Sequence, residues 1–225
     1  LLGGAGNDYL YGGEDDDTLL GAGGSDSLYG EEGSDILIGG LGYDRLYGGD
    51  GDDFLEGGLN SDTLAGGSGD DTYYFELGFG YDTLIISQAT TESIDKIVFG
   101  NGISSTDIEV IFDDSDLIIG ISNSLDKIKI TNYSNEESKF HSIEFNDGTI
   151  FSYEYVVGLA THGTDGNDSI ALSSYSNISY ETIKAGFGDD SINAQYADQD
   201  LVLLGEGDND WIRAGLGDDI LIGGA

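Results

Sequence analysis

The chain has no cysteine, no proline and no methionine, and only seven lysines and arginines in 225 residues. The missing cysteine excludes disulfides and thiol chemistry, and removes the usual evidence on redox compartment. Glycine is abundant, 38 of 225, against an ordinary share of about 7%. Without proline and without a three-residue period, that excess is not collagen-like. No apolar run approaches the roughly 18 residues of a membrane-spanning helix, and no charged, apolar, then small-residue leader is visible.

What is present is negative charge. Forty-four aspartates and glutamates give a net charge of -37. Residues 1 to 74 carry 17 acids and one base (Arg45), residues 75 to 160 carry 15 and 4, and residues 161 to 225 carry 12 and 2. All three parts therefore repel phosphate backbones and anionic surfaces, so no nucleic-acid partner is expected. The charge also opposes compaction, and a cation is the missing partner.

The acids are not scattered. Units of nine residues begin at Gly3, Gly12, Gly21, Gly30, Gly39, Gly48, Gly57 and Gly66. The sixth place is Asp8, Asp17, Asp26, Asp35, Asp44, Asp53, Asp62 and Asp71 in turn. The eighth is Leu10, Leu19, Leu28, Leu37, Leu46, Leu55, Leu64 and then Tyr73. A disordered Gly/Asp linker has no reason to hold three residue types in phase. Glycine at the first, second and fourth places permits positive φ and turns carbonyls inward. The sixth-place carboxylate joins that ring of oxygens, and an x-Leu-x stretch follows as a short strand with one side chain inward.

Oxygen-only ligation suits a hard cation with six to eight ligands, calcium before magnesium or zinc. The candidate ligands are the sixth-place aspartates together with Gly4, Gly6, Gly13, Gly24, Gly33, Gly40, Gly42, Gly49, Gly51, Gly58, Gly67 and Gly69. Asp15 and Asn60 replace glycine at the fourth place, and Ala22 and Glu31 at the second. Asp and Asn visit the left-handed region readily; Glu31 carries the larger penalty.

These residues match the G-G-x-G-x-D-x-U-x pattern, and the chain resembles the RTX family of secreted bacterial proteins with haemolysin-type calcium-binding repeats. The resemblance implies an all-β fold, a right-handed parallel β-roll in which two nonapeptides make one coil. It also implies calcium between each turn and the turn 18 residues on. Asp8, Asp26, Asp44 and Asp62 then share one column, and Asp17, Asp35, Asp53 and Asp71 the other. A longer turn at residues 76 to 82, ELGFGYD, adds Asp82 after a two-residue insertion. Pairing along the columns gives about seven calcium ions in this first array, residues 1 to 86.

From residue 87 to 160 the period stops. Short apolar runs (KIVF, IEVIF, DLIIGI, KIKIT) predict a β meander or sandwich-like segment, and Asp147-Gly148 between alternating stretches predicts a hairpin. The run from DKIVFGNGI to IEFNDGTIF resembles the haemolysin-type calcium-binding-related domain, with Asn132-Tyr133 where that family often has Asn-Trp. A capping or spacer role for the open end of a solenoid is the plain reading; a separate ligand-binding role is the alternative.

Residues 161 to 225 return to the period unevenly. The sixth place is followed as Asp168, Glu181, Asp190, Asp200, Asp210 and Asp219. Asp168, Asp190 and Asp210 sit in glycine-bearing turns, while the turns of Glu181 and Asp200 have almost no glycine. About two calcium ions, on one side only, are expected in this array. Asp219 has an intact turn and no following coil.

Two histidines, His141 and His162, without cysteine or a spaced partner do not make a zinc site, and no catalytic motif surrounds either. The fragment is read as non-enzymatic. The DDSD stretch at 113 to 116 is a solvated turn or a stray cation site. Tyr11, Tyr29 and Tyr47 fall at the ninth place of alternate units, so on a roll they stack on one outer face at roughly 4.8 Å. That ladder is either stabilising or a sugar-stacking platform.

The chain begins and ends within repeats and is expected to be a piece of a larger protein. The resemblance implies export of the parent, a toxin, exoenzyme or adhesin, through type I secretion machinery, with folding on calcium outside the cell. Partners then comprise calcium, the rest of the parent polypeptide, the secretion machinery, and a host surface or glycan. The competing class is an adhesive or polysaccharide-binding module whose calcium is only structural.

Overall fold

A computed structural model describes residues 1–86, 93–113, 116–131, 140–153, 156, 169–171, 182–195, 197 and 200–224. The chain divides into two compact units, Leu1–Ile108 with Ile118–Tyr153, and Glu109–Leu117 with Glu154–Ala225.

In the first unit each nonapeptide supplies one strand. The odd strands are β1 (Leu2–Ala5), β3 (Thr18–Gly23), β5 (Ile36–Leu41), β7 (Phe54–Leu59) and β9 (Thr72–Phe75). The even strands are β2 (Tyr9–Gly13), β4 (Ser27–Glu32), β6 (Arg45–Asp50), β8 (Thr63–Ser68) and β10 (Tyr81–Leu84). Odd strands pair only with odd and even only with even, giving two parallel sheets. Leu19 faces Leu37 and Leu28 faces Leu46 in register, 18 residues apart. Strands β3 to β8 run six residues, longer than the three expected, because the backbone pairing continues through the glycines of the first two places. Ala22 pairs with Gly40 and Glu31 with Gly49, for example.

The segment after residue 86 contributes both parallel strands and a hairpin. Strands β11 (Lys96–Phe99), β12 (Ile108–Asp113), β13 (Asp116–Ile121), β14 (Lys127–Ile130), β15 (Ser142–Phe145) and β16 (Ile150–Ser152) follow. β11 pairs parallel with β9, and β15 parallel with β11, so the first sheet runs on. β14 pairs parallel with β10 and extends the second. β15 and β16 then form the antiparallel hairpin, Ile143 facing Phe151, around Asn146, Asp147 and Gly148 (φ 87°). Repeats therefore give way to irregular coils without breaking the stack.

Between the sheets lie single-file apolar columns. Leu19, Leu37, Leu55, Tyr73, Ile97 and Ile143 form one; Leu28, Leu46, Leu64, Leu84 and Ile130 the other; all are fully buried. Each is worth about 1.5–3 kcal/mol relative to exposure, which offsets the poor strand propensity of glycine. Tyr73 fits among leucines because its hydroxyl accepts the Gly66 N–H at 2.9 Å. At the end of the repeats the first-place glycines are succeeded by Phe75, Phe99 and Phe145, whose rings pack at 6.2 and 5.6 Å.

The second unit holds two short parallel sheets, β17 (Ser169–Ala171), β19 (Ser191–Asn193) and β21 (Trp211–Arg213), and β18 (Thr182–Lys184), β20 (Val202–Leu204) and β22 (Ile220–Ile222). Ile183, Ile192, Leu201 and Leu203 are buried between them with small alanines.

Replacing Leu46 by Ala should lower stability by about 2–5 kcal/mol in chemical denaturation of the folded chain. Ile36→Ala, at an exposed seventh place, should change it by no more than about 0.5 kcal/mol.

Candidate functional site

Each sixth-place aspartate stands where a turn enters a strand, and its backbone N–H donates to Oδ1 of the aspartate in the next coil. Asp8 donates to Asp26, Asp26 to Asp44 and Asp44 to Asp62, at 2.7, 2.7 and 2.8 Å. Asp62 donates to Asp82 at 2.8 Å across the insertion. In the other column Asp17 donates to Asp35, Asp35 to Asp53 and Asp53 to Asp71, at 2.7, 2.8 and 3.0 Å. The two columns inferred from the period are thus two continuous hydrogen-bonded ladders.

That accounts for one oxygen of each carboxylate. The Oδ2 atoms of Asp8, Asp26, Asp35, Asp44, Asp53, Asp62, Asp71, Asp82, Asp190 and Asp210 are buried with no hydrogen-bond partner. A buried acceptor left unmatched costs about 1–3 kcal/mol, and more when charged. Repeated down a column, this is a donor set suited to a cation.

The first-place glycines show where those oxygens point. A Cβ on Gly48 would lie 2.1 Å from Asp53 Oδ2 and 2.6 Å from the carbonyl oxygen of Gly66. On Gly30 it would lie 2.2 Å from Asp35 Oδ2 and 2.5 Å from the Gly48 carbonyl oxygen. A carboxylate and a carbonyl of the next coil therefore converge on space that any side chain would fill. This corrects the expectation of positive φ at the first place: positive φ occurs at the second and fourth places, and no first-place glycine of the array has it. Glycine is required at the first place for room; the inward first-place carbonyls expected from the sequence lie beside the Oδ2 atoms, although these glycines were not among the candidate ligands.

All twelve candidate glycines have positive φ. So do their replacements, Asp15 (74°), Ala22 (79°), Glu31 (80°) and Asn60 (87°). At these places the carbonyls point along the stack: a Cβ on Gly51 would come within 2.2 Å of the Gly33 carbonyl oxygen.

A second ladder runs the opposite way on the exposed side. Fifth-place side chains accept from the following coil: Asn7 from Ser25 N–H at 2.8 Å, Asp16 from Ser34 at 2.8 Å and Asp52 from Asp70 at 2.9 Å. The amides at both places of the turn are thereby satisfied without an ion.

The first array contains one more member than the sequence reading assigned. Asp95 Oδ1 accepts the Asp71 N–H at 3.0 Å, 24 residues on, and Asp95 is buried. The visible signal was Asp-Lys-Ile, which keeps the apolar residue two places after the acid; the sequence between Asp82 and Asp95 contains no glycine. Both columns end shortly afterwards. By register Ile128 stands beside Asp82 and His141 beside Asp95. Asp126 instead accepts the N–H groups of Gly78 and Gly80 at 2.7 and 2.9 Å.

In the second unit Asp190 donates to Asp210 Oδ1 at 3.1 Å, and a Cβ on Gly205 would lie 2.0 Å from Asp210 Oδ2. Asp219 Oδ1 accepts from Leu201, not from an aspartate. The sixth-place assignment of Asp200 is therefore corrected to Leu201. Val202 pairs with Ile220 and Leu201 is buried, while Asp200 takes the fifth place and accepts from Asp218 at 2.8 Å. Asp168 and Glu181 lie outside the described residues, as do His162, Asn132-Tyr133 and the middle of the DDSD stretch.

Burial pushes the carboxyls of Asp53, Asp62 and Asp71 up to about 7, Asp82 to about 8 and Asp95 to about 6. The backbone hydrogen bond opposes this shift, and neighbouring carboxylates add to it.

Tyr11, Tyr29 and Tyr47 stack with centroids 4.9 and 5.1 Å apart and planes within 9°. The rings cover one another's faces.

Fold and site together define a parallel β-roll with oxygen-lined turns. Residues 1–28, 13–46, 29–64, 47–84 and 202–225 match the RTX calcium-binding nonapeptide repeat, and residues 116–155 the haemolysin-type calcium binding protein related domain. The chain belongs to the RTX calcium-binding repeat family through these segments. Among solved structures it is similar to the extracellular lipase LipA from Serratia marcescens, at 14% identity and a TM-score of 0.30, over 96% of this chain and 28% of the lipase chain. The chain thus spans less than a third of that protein's length. No curated protein matches it.

Gly48→Ala should reduce the number of cations bound per chain, counted by equilibrium dialysis. Gly13→Ala, whose Cβ meets nothing within 4 Å, should leave the count unchanged and cost about 1–2 kcal/mol for its positive φ.

The raised carboxyls also fix a pH dependence. Unfolded aspartates titrate near about 3.9, so protonation favours the ion-free fold. That contribution is complete below about pH 4 and lost as pH rises through about 6 to 8. Calcium-stripped chain should therefore show more β signal by circular dichroism at pH 5 than at pH 8; the reverse order would contradict the burial of these groups.

Proposed function

We propose that the chain is a non-enzymatic, calcium-triggered folding module of a larger secreted bacterial protein, exported unfolded by type I secretion and folded outside the cell. The observation that carries this reading is the set of ten buried, unpartnered carboxylate oxygens in a chain of net charge -37.

The donor set fits a hard divalent cation: carboxylates and carbonyls, without nitrogen or sulfur. Asp8, Asp17, Asp26, Asp35, Asp44, Asp53, Asp62, Asp71 and Asp82, with carbonyls of the intervening glycines, would hold about seven ions in the first array. The Asp71–Asp95 pair adds a further position by the same ladder geometry. In the second array Asp190 and Asp210 are the pair with matched geometry, and Asp168 extends it by sequence. Bound calcium would supply positive charge, and the Oδ2 atoms would be among the oxygens that coordinate it.

The protein's own part is to gather the oxygens. Backbone pairing sets the coil spacing, first-place glycines leave room, and the Oδ1 ladders orient each carboxylate. Without the ion, self-repulsion and conformational entropy outweigh the single-file apolar columns; with it, binding and folding are one event. Extracellular modules bind calcium at about 10⁻⁴ to 10⁻³ M, which keeps such a chain unfolded inside a cell. The Tyr ladder is read as stabilising, since mutual stacking occupies the ring faces that a sugar would need.

Far-UV circular dichroism during a calcium titration tests the reading. A cooperative rise of β signal at or below about 1 mM, absent with magnesium and displaced to higher calcium by Asp53→Asn, is expected. A chain already folded in chelator and unchanged by calcium would overturn it.

A further inference from the structure

Beside the lengthened turn at 76 to 82 lies a cavity of about 280 Å³, with no aspartate in its lining. Part of its wall is a column at the third place of alternate units, Leu41, Leu59 and Leu77, each about half exposed. A leucine at that place packs against no inward column, so the periodic fold does not account for it. Tyr74, Phe75 and Phe79 line the same space, with the rings of Phe75 and Phe79 4.9 Å apart.

Two carboxylates complete the lining. Glu56 is at the ninth place of its unit, beside Tyr74 in the next coil by the register of Leu55 with Tyr73. Glu76 follows two residues later and accepts the Tyr74 hydroxyl at 3.0 Å. Among the described residues neither glutamate has an ion pair with a lysine or arginine.

We propose that this cavity binds an organic cation with an alkylated ammonium head, of the choline type. Two carboxylates call for positive charge, and an aromatic and leucine lining calls for alkyl surface around it. Aromatic rings attract such cations electrostatically, an effect that grows when the ligand is desolvated. A hard divalent ion is the poorer match, because it needs six to eight oxygens and half of this wall is apolar. A primary ammonium keeps its hydration more strongly. The volume lies just below the range of about 300–1,000 Å³ of ordinary ligand pockets, so it suits a head group and not a drug-sized molecule. Residues of the first unit alone build the cavity.

The test uses the calcium-saturated full chain, with choline as probe and 3,3-dimethyl-1-butanol as its neutral isostere. Isothermal titration and amide shifts at Leu59 and Leu77 should show choline binding about 10-fold more tightly than the isostere. The E56Q/E76Q variant should abolish that preference while keeping the calcium-induced β signal. Equal binding of choline and isostere to the unaltered chain overturns the proposal, whether or not the variant folds. Choline affinity unchanged in a folded E56Q/E76Q variant, or choline displaced by further calcium, overturns it as well.

Discussion

One carboxylate in two roles governs this architecture. In Asp26, Asp35, Asp44, Asp53, Asp62, Asp71 and Asp82, Oδ1 joins the coil to the coil before it by accepting a backbone N–H, as Asp53 does from Asp35. Oδ2 of the same group is buried with nothing to accept from. The first role requires the carboxylate to enter the stack, and the second makes that entry unfavourable without a counter-charge. Glycine at the first place follows directly, since a Cβ on Gly66 would lie 1.9 Å from Asp71 Oδ2. So do the raised carboxyls of Asp53, Asp62 and Asp71.

Much of this was legible in the sequence because every coil repeats the same environment. A leucine column between sheets, positive φ at two places and an inward acid each leave their mark every nine residues. Even the exceptions obey: Glu31 and Asn60 adopt the backbone of the glycines they replace. The reason for first-place glycine was not legible, because composition alone does not separate conformational need from lack of room. Only the position of Asp53 Oδ2 against Gly48 decides it.

Where the period loosens, the strand register becomes the only guide. Asp95 joins its column after 24 residues because Lys96 pairs with Thr72, whatever the number of residues between the two acids. The same logic removes Asp200. Adjacent to Leu201 and in an uneven spacing, it could be given the sixth place by counting, but the pairing of Val202 with Ile220 gives that place to the buried leucine. A parallel stack tolerates insertions in its turns and not in its strands, so spacing between acids is a weaker signal than the apolar residue two places after each.

The end of the carboxylate columns has its own physical logic. A coil that needs a cation on each side cannot be the last one unless its neighbour supplies backbone partners without adding a new unmatched carboxylate. β14 and β15 do this. They pair in parallel with β10 and β11, yet Ile128 and His141 stand where aspartates would continue the columns. Asp126 is placed where both its oxygens accept backbone N–H groups from the lengthened turn, so its carboxylate is satisfied by protein donors alone. Phe75, Phe99 and Phe145 meanwhile fill the first-place column with rings. The stack passes from coils that bury unmatched carboxylate oxygens to coils held by apolar packing and a fully bonded acid, which lets a roll of calcium-binding repeats end inside the same continuous sheets.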